Sequence, residues 1–189
     1  MNIKNNHSKN LIWVDLEMTG LCYLTNRILE IAVIITDSNL NILQKGPVIS
    51  IYQSKKILER MNSWNKRTHN KSGLIQKVVY SKYNEKKAET EILQFLKKWV
   101  PVNQSPICGS TVWKDREFLK KYMPKLESYF HYRNIDVSTI QELYSRWNKK
   151  SFKKSNQANK HSASYDVQES ILELKYYKKN FFNIKNLKS

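Results

Sequence analysis

With 189 residues and 40% hydrophobic content, the chain has room for one domain with a proper core, which excludes a low-complexity or disordered protein. Its longest apolar run, residues 28–36, is far short of the ~20 residues a membrane helix needs and contains Glu30, and the start of the chain lacks the apolar core of a secretory signal. The net charge of +17 permits an anionic partner such as nucleic acid, although an excess of lysine with abundant Asn, Ile and Tyr is also what A/T-biased coding writes.

Residues 1–9 read as a flexible tail, 10–182 as one domain and 183–189 as a second tail. The first element is a strand over 11–16, a short apolar run that ends by presenting Asp15 and then Glu17. Strands over 28–36 and 47–53 follow, punctuated by Asp37-Ser38-Asn39 and by Gly46-Pro47. Helical patterns over 54–61, 72–79 and 85–100 come next, the last with a broad apolar face and Pro101 to stop it. Between the first two lies a polar loop, 62–72, carrying Trp64 and His69. A short buried strand at 106–109 leads to a helix over 112–122, ended by Pro124. After a strand at 134–137, Ser138 and Gln141 form a capping box for a helix reaching about Trp147. A polar loop over 148–160 and a final helix over 162–177 complete the chain. A meander of strands followed by alternating strands and helices specifies an α/β fold: a single domain with a mixed five-stranded sheet flanked by helices. The two cysteines, Cys22 and Cys108, make neither a disulfide framework nor a metal motif, which fits a reduced, cytoplasmic setting.

Chemistry is sought among the acids, because the chain has only five aspartates. Strand side chains alternate, so Asp15 and Glu17 point the same way, a sensible spacing for gripping divalent cations. A charged pair on a buried strand is costly unless compensated, and metal is the obvious compensation. Asp-x-Glu alone is a weak signal, since a solvated strand end explains it as well. Asp37 belongs to a turn and Asp136 to the end of a strand, where local roles suffice. Asp115 and Asp166 each lie in the first turn of a helix, where they complement its dipole or converge on the first strand. Among His7, His69, His131 and His161, spacing leaves the choice of a general base open.

The text around these residues is similar to one family. Asp15-Leu16-Glu17-Met18-Thr19-Gly20, then Pro106-Ile107-Cys108-Gly109 leading to Asp115-Arg116 and Phe118-Leu119, then His131-Tyr132-Arg133, then His161 with Asp166 and Glu169-Ser170, resemble the oligoribonucleases. These are DEDDh exonucleases on a ribonuclease-H-like fold, and the likeness runs over nearly the whole chain. Where that family reads Gly-Asn-Ser-Ile-Gly-Gln-Asp, this chain has Gly109-Ser110-Thr111-Val112-Trp113-Lys114-Asp115, and Tyr165 replaces a second acid ahead of Asp166.

The resemblance implies that Asp15, Glu17, Asp115 and Asp166 bind two divalent ions, Mg²⁺ or Mn²⁺, and that His161 is the general base. It further implies Leu21 as a wedge between two bases, Trp64 as a stacking platform, and Arg133 with the Thr111 hydroxyl on a 5′ phosphate. Tyr132 would reach the active site of a second subunit across a homodimer. The bland alternatives are loop packing for Leu21 and an ion pair for Arg133. Two metal ions carry four positive charges and these acids four negative ones, so the loaded site is near neutral while the empty one repels itself. Such ion pairs activate water and stabilise a departing 3′ oxygen. The implied activity is 3′→5′ hydrolysis of single-stranded RNA of two to about five nucleotides to nucleoside 5′-monophosphates, with no membrane role. The rivals are another DEDDh exonuclease acting on longer RNA or DNA, and a non-catalytic RNA-binding relative.

Overall fold

The computed structural model describes residues 7–148 and 162–182. Five strands, β1 (Leu11–Met18), β2 (Ile28–Thr36), β3 (Ile42–Ser50), β4 (Ile107–Gly109) and β5 (Asn134–Asp136), form one mixed sheet in the order β3-β2-β1-β4-β5. The β1–β2 and β2–β3 pairs are antiparallel, whereas β4 and β5 run parallel to β1. Helices α1 (Lys55–Leu58), α2 (Ser63–Lys71), α3 (Leu74–Val79), α4 (Glu85–Leu96), α5 (Val112–Tyr122), α6 (Pro124–Glu127), α7 (Val137–Trp147) and α8 (Ala163–Asn180) surround it. Ahead of β1, residues His7–Lys9 form a 3-10 turn in which the His7 ring meets Trp99 edge-on.

Both faces of the sheet are covered, and alternation along β1 decides what each face carries. Ile12, Val14 and Leu16 join Ile92, Phe118 and Leu119 in one core, under α4 and α5. Trp13 joins Val137, Val167 and Ile171 in the other, under α7 and α8. Asp15 and Glu17 continue the Trp13 row, which turns them toward α8. Every residue of β2 is buried, which is why it reads as a near-continuous apolar run, broken only at Glu30 before its closing Thr36, rather than an alternating one.

Four elements differ from the sequence expectation. The segment 62–72 is helical: α2 is capped by Asn62, whose side chain accepts from the Asn65 amide, yet its buried residues are the polar Asn65 and His69, so no apolar stripe marks it. The third strand starts at Ile42 and runs through Gly46-Pro47, because β3 is an edge strand and the pairing with β2 shifts there, tolerating proline. Glycine is needed at 46, since a Cβ would lie 2.6 Å from the Phe95 ring. Helix α7 is capped by Asp136 rather than Ser138, the Asp136 side chain accepting from the Ser138 amide at 3.0 Å. Pro124 both ends α5 and opens the short α6, its ring suited to a first helical position.

Candidate active site

The end of β1 lies between two helices that arrive from opposite faces of the sheet. Helix α8 brings Asp166, in its first turn, over the Asp15 and Glu17 row, and a carboxylate oxygen from each of the three lies within 4.8 Å of the others. Helix α5 brings Asp115 from the other face, where its Oδ1 accepts the Leu16 amide at 3.0 Å. Asp115 thus stands beside the trio, tied to the strand backbone and near enough to Asp15 to repel it. The approach of β4 to β1 depends on Gly109, because a Cβ there would sit 2.7 Å from the Val14 carbonyl oxygen. The β1–β2 pairing shifts between Glu17 and Met18, a bulge at the point where the strand hands its acids to the site.

These carboxyls are crowded and dry. Burial, then repulsion from Asp115, Asp166, Glu17 and Glu30, holds the Asp15 carboxyl well above the usual range. Burial first, then Asp166, Glu30 and Asp115, pushes Glu17 up to about 8. Asp115 is raised to about 8 by burial, with the Leu16 hydrogen bond opposing and Asp136 adding to the rise. Glu30 is a further acid that the sequence showed only as an interruption in β2. It stands opposite Glu17 in the β1–β2 register, is buried, and accepts from the Ser50 hydroxyl at 2.9 Å. An all-oxygen cluster whose negative charge is disfavoured by its own crowding is the donor set a hard divalent cation satisfies.

The opposite wall is α2. Asn65 donates to the Thr19 carbonyl at 2.9 Å, and His69 Nε2 donates to the Met18 carbonyl at 3.1 Å. His69 Nδ1 lies 3.8 Å from Glu17 Oε2, and the ring is buried. His69 therefore belongs to the site, and an Asn and a His four positions apart in a capped segment was the only sequence sign of it.

The remaining expected residues fall into two groups. Leu21 and Trp64 are 71% and 56% exposed, so Leu21 is not a packing residue. Thr111 caps α5 in the left-handed region (φ 56°), held because its amide donates to Asp136 Oδ1 and to the Ser138 hydroxyl. Its own hydroxyl lies 3.0 Å from Ser138 Oγ. Arg133 does not join Thr111 within one chain. Gly109 pairs with Asp136 at the far end of β5, whereas Arg133 precedes the first residue of that strand, about 10 Å away along it. Among the described residues Arg133 makes no ion pair; its guanidinium lies 5.3 Å from the centre of the exposed Tyr132 ring. Arg116 fixes this corner by donating to the carbonyls of residues 132 and 133 and to Asn134 Oδ1. His161 lies outside the described residues, as does nearly all of the loop expected over 148–160.

An exonuclease family model matches residues 12–174, which include the four acids, His69 and Arg133. The chain is 56% identical over 179 residues to the oligoribonuclease of Buchnera aphidicola subsp. Acyrthosiphon pisum, covering 95% of this chain and 97% of that one. The chain belongs to the oligoribonuclease family. It is 53% identical to the Pasteurella multocida oligoribonuclease, over 94% of this chain and 97% of the relative. Oligoribonucleases are nucleases, so the chain is a phosphodiester hydrolase, a 3′→5′ exoribonuclease. Among solved structures, E. coli exonuclease I bound to single-stranded DNA superposes with a TM-score of 0.73 at 15% identity. That match covers 94% of this chain, which spans 42% of the exonuclease I chain, and it supports the ribonuclease-H-like architecture.

Proposed function

We propose that this oligoribonuclease removes nucleoside 5′-monophosphates from RNAs of two to about five nucleotides, acting in the cytoplasm as a homodimer through a domain spanning 10–182. The observation that carries the reading is the meeting of Asp15, Glu17 and Asp166 beside Asp115 at the end of β1. Two Mg²⁺ or Mn²⁺ ions held by these carboxylates would supply activation of the attacking water and stabilisation of the departing 3′ oxygen. The residues themselves set position. Asp15, Asp115 and Asp166 come from a central strand and two helices that pack on opposite faces, so their spacing is held by both cores. His161 takes the proton from the attacking water as general base. Exposed Leu21 and Trp64 present an apolar edge and an indole face to bases; stacking on such a ring gives ~1–3 kcal/mol whatever the base.

The 5′ phosphate needs Thr111 from one chain and Arg133 of the partner subunit. The separation of Arg133 from Thr111 along β5 and the 74% exposure of Tyr132 support that arrangement. The free thiols at Cys22 and Cys108 support a reducing compartment. The test is hydrolysis of 5′-phosphorylated RNAs of graded length in Mg²⁺. The short RNAs should be degraded much faster than a ~20-mer, and Arg133→Ala should narrow that gap, because a charge-assisted phosphate contact forms only when the 5′ end lies near the scissile bond. Equal rates on short and long RNA would move the enzyme to the DEDDh class acting on long strands.

A further inference from the structure

Helix α2 has a second face that the catalytic reading leaves unused. Asn65 and His69 pin it to the end of β1, while Lys66 and Asn70, one position further round the helix, line a cleft of about 430 Å³ between α1, α2 and α3. That volume falls in the range of small-molecule sites. The cleft has an apolar floor built from Leu58, Met61 and Ile75, and the half-exposed ring of Tyr52 stands at its edge. Two lysines, Lys55 and Lys66, line the cleft together with one acid, Glu59, in a segment, residues 55–82, that carries eight lysines and arginines and no other acid. Glu59 lies 3.9 Å from Lys55 with both side chains well exposed, which leaves that ammonium largely available. A ligand suited to this cleft is flat and apolar over most of its length and anionic at one end.

We propose that the cleft is a second nucleotide-binding site, in which a base lies on the apolar floor against Tyr52 and a phosphate meets Lys55 and Lys66. The occupant is a nucleoside 5′-monophosphate, either free or at the end of an RNA. Its contact with α2 bears on the catalytic end of β1 through the Asn65–Thr19 and His69–Met18 hydrogen bonds. The binding itself does not depend on the assigned hydrolysis, which enters only as a source of mononucleotides.

Calorimetric titration of the full chain in EDTA with adenosine 5′-monophosphate tests the site without turnover. One equivalent per chain is expected. Joint Lys55→Glu and Lys66→Glu substitution should weaken binding about tenfold or more, and Tyr52→Ala about fivefold, with unchanged melting temperatures. Asp166→Ala should leave this binding intact. Displacement by a 5′-phosphorylated trinucleotide would identify an RNA end as a source, and displacement only by mononucleotides the free product. Absence of binding at about 1 mM, or binding abolished by Asp166→Ala and indifferent to the lysine pair, would overturn the proposal.

Discussion

The four acids stand on β1, α5 and α8, elements that pack directly into the two cores, whereas Leu21, Trp64, Tyr132 and Arg133 stand on connecting segments and a short polar helix. The carboxylates are held against their own repulsion by backbone that cannot move without opening the sheet. Leu21, Trp64 and Tyr132 are exposed, and in the proposed reading a ligand or a second subunit would turn them into ordered contacts. Under the proposed function the contrast separates two jobs: a rigid centre that would fix where a bond breaks, and an open rim that would select which strand arrives.

Removing a member of the rigid centre should have the largest effect. Asp15→Ala and Asp166→Ala are expected to lower kcat by roughly 10⁴-fold while the protein remains folded, and EDTA should silence the wild type. Full activity in EDTA would sink the two-metal reading. His161→Ala should lower kcat by about 10²–10⁴-fold with little change in KM. His69→Ala should cost less in turnover, because His69 positions Glu17 and the Met18 carbonyl; the opposite order in steady-state kinetics would reassign the base. At the rim, Trp64→Ala and Leu21→Ala should raise KM by about 5–150-fold and spare kcat, since each removes about 1–3 kcal/mol of base contact.

The smallest effect sharpens the contrast by reading the centre without substrate. Glu17 and Asp115 hold protons in the metal-free fold up to about pH 8, well above the range in which unfolded carboxyls lose theirs. The folded state then binds more protons than the unfolded one, so the stabilisation is complete at pH below about 4 and lost as pH rises through about 8. Melting temperatures in EDTA should therefore fall between about pH 5 and 8.5, Asp15→Asn should flatten that slope, and Mg²⁺ should raise the melting temperature most at the alkaline end. A melting temperature that rises with pH in EDTA would show that the carboxyls are not crowded as described.

Legibility followed the same division. The strand over 28–36 and the helix over 112–122 match the sequence reading to the residue, because a near-continuous apolar run and a helical period mark elements buried by the core. Helix α2 was missed because it buries Asn65 and His69, whose hydrogen bonds to the β1 end leave no apolar period. Glu30 passed as a break in a strand because only pairing puts it opposite Glu17. That Arg133 and Thr111 lie apart in one chain was not legible either, because the parallel register of β4 and β5 sets them near opposite ends of β5.

By itself the sequence determined the fold class, since hydrophobic periodicity is a local property of the chain, while its resemblance to the oligoribonucleases pointed to the family and singled out Asp15, Glu17, Asp115 and Asp166. Only the tertiary structure decided which acids meet, that Asp115 spends an oxygen on the Leu16 amide, that His69 and Glu30 flank Glu17, and that Arg133 stands apart from Thr111. Those relations depend on sheet register and on helices crossing from opposite faces, and no spacing along the chain encodes a distance between residues a hundred positions apart.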